Sequence, residues 1–179
     1  MPPLCPSSIF FAAFMAITWA LGQSTETDQA ILSGFPGFHV LAVHERDADA
    51  KAFILAHFPK HNPSLVHADF DGDGNLDWAV LLKADNSGAA RFVILLCSAD
   101  AHCKKANEEN ITPYAGEVYI RPVATGRHVS QTDAIDTKNN PSPVRLRSTG
   151  IELAYFGKAK VVYLWNPKHN KIETIQTED

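Results

Sequence analysis

The chain has 179 residues, a net charge of −4 and 20% charged side chains. Its length argues for one domain, its composition is that of a globular protein, and its scattered Lys and Arg exclude the concentrated basic face that nucleic acid requires. The densest basic run, Arg145–Lys171, is interrupted by Glu152 and by apolar residues, and reads as solvated strand edges.

Residues 1–22 carry no charged side chain, and "IFFAAFMAITWALG" (9–22) is an apolar run ending in small residues before Gln23. This is the pattern of a secretory signal peptide, too short for a comfortable membrane span. The stretch before the run lacks Lys and Arg, which leaves an uncleaved anchor as the rival reading. The chain is thus expected to be secreted or periplasmic, with no membrane span once the signal is removed. Residues 23–37 read as a flexible start, and 38–179 as a single globular domain.

"FHVLAV" (38–43) is a short strand candidate. Asp47 stands at an N-cap position before 48–58, where Ala50, Phe53, Ile54, His57 and Phe58 recur at helical spacing and Pro59 stops the helix. "SLVHA", "WAVLLK", "RFVILLC" and "GEVYIRPV" then read as strands, the third of them buried on both faces. Residues 124–143 look like a long loop, and the tail from Val144 alternates strand and turn. The predicted fold is α+β: a mainly antiparallel sheet of about seven or eight strands with one N-terminal amphipathic helix.

Two cysteines follow the signal segment, Cys97 and Cys103. In an exported chain an even pair reads as a disulfide. The loop is small, so its stabilisation falls near the low end of roughly 2–4 kcal/mol. A buried Cys97 with a free Cys103 is the alternative.

Between two of the strands lies "DFDGDGNLD" (69–77). The carboxylates of Asp69, Asp71, Asp73 and Asp77 fit positions 1, 3, 5 and 9 of a calcium loop, and Asn75 at position 7 offers its backbone carbonyl. Gly72 and Gly74 permit the turns that bring alternate side chains to one centre, and Leu76 is expected to point into the core and moor the loop. Without a cation the carboxylates repel by roughly 1 kcal/mol per pair even at waterlike screening. An EF-hand needs a bidentate Glu at position 12, where Val80 stands, and helices on both sides, where strands are predicted. The rival readings are a magnesium site and a plain Asp/Gly turn.

"DFDGDGNLDWAVL" resembles the calcium loop of FG-GAP and VCBS-type repeats, in which D-x-D-x-D-G-x-x-D joins two strands. The resemblance implies Asp69, Asp71, Asp73, Asp77 and the Asn75 carbonyl as ligands of Ca²⁺. Such repeats usually build propellers of several blades, but "DAIDTKNNP" (133–141) lacks the spacing and the glycines, and a single copy closes no ring. The chain as a whole resembles small exported bacterial proteins.

Other candidates have plainer explanations. Pro59 separates His57 from His61, so they do not form a helical zinc pair; His67 reads as an ordinary strand position. Tyr155, Phe156, Tyr163 and Trp165 fit core or cross-strand pairs at strand spacing, or else a ligand face. No catalytic residue is assigned. The expectation is an exported domain with a structural calcium ion, acting as a binding protein toward an extracellular or envelope protein or a glycan. The alternative is a small exported hydrolase or an envelope enzyme inhibitor using a face beside the loop.

Overall fold

The structure, a computed structural model, describes residues 31–100, 102–131 and 142–178. The predicted signal segment and most of 23–37 lie outside the described residues. The chain divides into Met1–Gly34 and Phe35–Asp179. In the first unit the description covers only a turn, closed by the Gly34 N–H on the Ile31 carbonyl at 3.1 Å. The fold below is that of the second.

Sheet A contains β1 (Phe38–Val40), β2 (Leu65–Ala68), β3 (Asp77–Ala84), β4 (Ala90–Cys97) and β5 (Cys103–Asn110); sheet B contains β6 (Val118–Val123), β9 (Gly150–Tyr155), β10 (Ala159–Asn166) and β11 (Lys171–Glu178). A short ribbon pairs β7 (His128–Val129) with β8 (Val144–Arg145). All pairings are antiparallel. The two sheets share one core: Ala79, Leu81, Phe92 and Ile94 from sheet A meet Ile120, Ile151, Leu153 and Tyr163 from sheet B. Helix α1 (Ala48–His57) puts Ile54, with Phe53, against Tyr119 and Ala154 on the far face of sheet B. Its apolar stripe is narrower than the spacing suggests, because His57 is exposed and only stacks on Phe53 at 4.2 Å. No helix among the described residues is long and apolar enough to cross a membrane.

The α+β, mainly antiparallel architecture agrees with expectation, but the described residues hold eleven strands rather than seven or eight. β5 and β7 fall where no strand was expected. β5, "CKKANEEN", has no apolar alternation because it is a sheet edge, held by its ladder to β4. In the ribbon, β7 lies inside the region 124–143 expected as a long loop, and β8 opens the tail expected as strand and turn from Val144.

β1 and β2 occupy one edge of β3 in succession, with Phe38 opposite Ala84 and Ala68 opposite Asp77. The hand-over occurs at Leu81, whose carbonyl accepts the Leu41 N–H and whose N–H donates to the Ser64 carbonyl, both at 2.9 Å. Carbonyls at such a seam lie beyond the regular ladder and need partners. Arg46, 5% exposed, supplies them: Nε donates to Val118 O (2.8 Å), Nη1 to Leu41 O (3.4 Å), and Nη2 to Pro63 O (3.3 Å) and Ser64 Oγ (2.6 Å). Burial lowers this guanidinium to about 10, against the opposing pull of the Glu45 charge. Across the core, the buried Tyr163 hydroxyl donates to Glu109 of β5, which also accepts from Tyr155 at 3.4 Å. Burial first, and then this carboxylate, raise both phenols above their ordinary value.

Near the start of the fold, His39 Nδ1 lies 2.7 Å from Asp85 Oδ1 and its Nε2 lies 3.0 Å from Glu45 Oε2. Lys83 Nζ lies 3.0 Å from Glu45 Oε1. The Asp85 bond raises the imidazole above 6.5, burial opposes, and Glu45 adds to the rise. Burial alone would raise Glu45, but the Ala42 N–H, Lys83 and His39 outweigh it and hold the carboxyl at about 2.

Two outcomes are expected. Arg46→Met takes the donor from the buried Val118 carbonyl, while Pro63 O keeps the Ile120 N–H and Leu41 O keeps the Ser64 hydroxyl; it lowers stability by about 1–3 kcal/mol in urea denaturation, and a loss below about 0.5 kcal/mol contradicts this role. The His39 contribution is complete below its unfolded value of 6.5 and disappears as pH rises through its higher folded value. The Glu45 contribution is complete above 4.5 and is lost as pH falls through about 2. The stability gap between wild type and His39→Gln therefore narrows from pH 6 to pH 9, which paired denaturation curves measure.

Candidate metal centre

The loop 69–77 connects β2 to β3, and its own sequence folds it. Asp69 accepts the N–H of Gly72 on Oδ1 (2.6 Å) and that of Gly74 on Oδ2 (3.0 Å), while Asp71 accepts the Asp73 N–H (3.1 Å). These are the local side-chain-to-backbone bonds that make Asp a turn residue. They close only because Gly72 and Gly74 adopt φ of 83° and 91°, a region that residues with a Cβ avoid.

These turns break the alternation that sequence periodicity assumes. Leu76, expected in the core, is 54% exposed. The anchor is Phe70, 1% exposed in the shared core. From outside the loop, Ser148 Oγ donates to Phe70 O (2.5 Å) and the Thr149 N–H to Asp69 O (3.3 Å).

Asp77 opens β3 and is fully buried. Its Oδ2 accepts the Phe70 N–H and its Oδ1 the Cys97 N–H, both at 2.8 Å. One carboxylate thus ties the loop to the end of β4. At that end Cys97 and Cys103 are register partners joined through an S–S distance of 2.01 Å, with Cα atoms 4.0 Å apart. The bond between Asp77 and Cys97 is not visible in the sequence around Asp77, since Cys97 lies twenty positions on.

Asp69, Asp71 and Asp77 each bring one oxygen within 4.8 Å of the others. Calcium binds oxygens at about 2.3–2.6 Å, so two ligands of one ion lie at most about 5 Å apart, and this triad fits one hard-cation sphere. A carboxylate oxygen that accepts one N–H keeps a second lone pair, so the loop's hydrogen bonds leave ligand capacity. Asp73 is not in the triad: its Oδ1 accepts the Asn75 N–H (2.7 Å) and its Oδ2 the Asn75 side-chain amide (2.8 Å). Those bonds lower its pKa. Burial, joined by the Asp73 and Asp69 charges, raises Asp71; burial also raises Asp77 against its two amide bonds. The loop holds like charges at close quarters where they are disfavoured, the electrostatic setting a divalent cation relieves.

His67 sits at an exposed strand position and stacks on Trp78, ring centroids 3.4 Å apart. His57 and His61 form no cluster with other metal-ligating side chains among the described residues. Compared with known proteins, the chain matches no family model, no curated protein and no solved structure.

Asp77→Ala removes the acceptor of two buried amides and is expected to cost about 2–4 kcal/mol. Hydrogen exchange should accelerate first at the Phe70 and Cys97 amides. Unchanged protection at both would show that the carboxylate does not hold the loop to β4.

Proposed function

We propose that the chain is an exported calcium-binding domain in which the ion is structural, and that its task is binding rather than catalysis. The observation that carries this reading is the convergence of Asp69, Asp71 and Asp77 at the mouth of a strand pair. All three offer hard oxygen, the donor type that calcium takes in sets of six to eight with loose geometry, whereas magnesium demands a near-ideal octahedron. A bound ion would supply charge neutralisation at the loop. The Asn75 carbonyl, and Asp73 after rotation away from Asn75, stand on the same nine-residue loop to complete its shell. The apolar run at 9–22 supports export, where calcium sites of roughly 10⁻⁴–10⁻³ M affinity stay filled.

Calcium at tenfold to hundredfold excess over such an affinity stabilises by about 1.4–2.7 kcal/mol. For a domain of this size that raises the melting temperature by about 3–10 °C. Thermal melts of the purified chain in calcium and in chelator should show this difference, and Asp71→Asn should abolish it while magnesium fails to reproduce it. A melting curve indifferent to both calcium and chelator would sink the reading.

A further inference from the structure

The face of sheet B turned away from the shared core is covered at one end by helix α1 and at the other by the β7–β8 ribbon. At the helix end Ile54 packs on Tyr119 and Ala154; at the ribbon end Val129 and Leu146 pack on Val123 and Val162. Between these covers runs a groove made of two adjoining clefts that share Lys160 and Glu178. The cleft beside the helix, about 270 Å³, is walled by Phe53, Tyr119 and Phe156, with the Phe53 and Phe156 rings 5.2 Å apart. The cleft beside the ribbon, about 470 Å³, is lined by Arg121, Arg127, His128, Ser130 and Glu152.

The charges along this groove are not alike in kind. Arg121 grips Glu152 through two bonds of 2.6 and 2.9 Å, and Lys160 pairs with Glu178. These pairs leave a floor that alternates donors and acceptors. Arg127 is exposed and has no acidic partner among the described residues, and no Asp or Glu occurs from Val118 to Gln131. Among the described residues lining the ribbon end, Arg121, Arg127 and Lys160 stand against Glu152 and Glu178, an excess of one positive charge.

We propose that this groove binds an acidic oligosaccharide, its carboxylate against Arg127 and its ring faces against Phe53 and Phe156. Sugar hydroxyls both donate and accept, so they can use both members of the Arg121–Glu152 and Lys160–Glu178 pairs. A phosphodiester polymer offers the floor acceptors only, and the two carboxylates repel it; nucleic-acid surfaces are uniformly basic instead. Aromatic walls next to a few placed polar groups are the usual makeup of a small-ligand site. The calcium loop lines neither cleft, so this proposal stands apart from the metal reading.

The test is titration calorimetry of the full chain at low ionic strength with 1 mM calcium, using three probes. These are a hyaluronan hexasaccharide, the neutral chitohexaose and an oligothymidylate of similar charge. Saturable binding of the hyaluronan hexamer, at least about tenfold tighter than either other probe, is expected. Arg127→Ala and Lys160→Ala should each weaken it at least about fivefold. Arg127 is exposed and has no acidic partner among the described residues, so its variant should keep the wild-type circular dichroism; amide shift mapping on wild type provides a readout without any variant. Equal affinity for oligothymidylate overturns the proposal, as does absent binding, indifference to Arg127→Ala, or shifts that map away from Phe53, Phe156, Lys160 and residues 119–130.

Discussion

The carboxylate of Asp77 is the constraint around which this end of the molecule is organised. It is fully buried, and it accepts one amide from the loop before β3 and another from the last residue of β4. A buried carboxylate is tolerated only where its oxygens are satisfied. Satisfying these two oxygens sets three chain segments relative to one another. Phe70 enters the core, Cys97 is held where its partner Cys103 can reach it, and the loop between Asp69 and Asp77 must turn outward to join them. The grouping of acidic side chains follows from that geometry.

Arg46 does at the opposite seam of sheet A what Asp77 does at the loop. Both are charged groups placed where the regular ladder ends, bonded to backbone atoms there. Arg46 supplies donors to the carbonyls of Leu41, Pro63 and Val118, and Asp77 supplies acceptors to the amides of Phe70 and Cys97. No carboxylate touches the guanidinium among its hydrogen-bond partners, so its charge is dispersed over carbonyl dipoles rather than neutralised by an ion pair. Such an arrangement contributes less through attraction than through the penalty of removing it, because each partner left behind is buried.

This division explains what was legible in the sequence. The apolar runs of β3 and β4 and the spacing of Ala50, Phe53 and Ile54 are local patterns, and they predict strand and helix correctly. β5 escapes such a reading because an exposed edge strand has no apolar face to betray it. Leu76 is exposed, against expectation, because alternation fails where Gly72 and Gly74 turn the chain. The spacing of the aspartates marks Asp69, Asp71 and Asp77 as neighbours, but it cannot show that Asp73 turns to Asn75 instead. The roles of Arg46 and of Asp77 at β4 were hidden altogether, since their partners are distant in sequence and are backbone atoms of unremarkable residues. Arg121, Arg127 and Lys160 show the same limit: they line one groove only after the fold brings them together.

The way the loop is moored also bears on what a cation there would do. A calcium sensor couples its ion to an element with two packings, as when EF-hand helices swing open. Here the flanking elements are β2 and β3, paired in register from Leu65 opposite Val80 to Ala68 opposite Asp77. Phe70, Ser148, Thr149 and Cys97 fix the loop from separate directions. A ligand shifts an equilibrium only by its differential affinity for two states, and a loop held at four points within packed strands offers no second arrangement close in energy. The free energy of binding would then appear as resistance to unfolding rather than as movement. That is the physical difference between a structural ion and a signalling one, and in this fold it follows from the strand ladder and the Asp77 bonds.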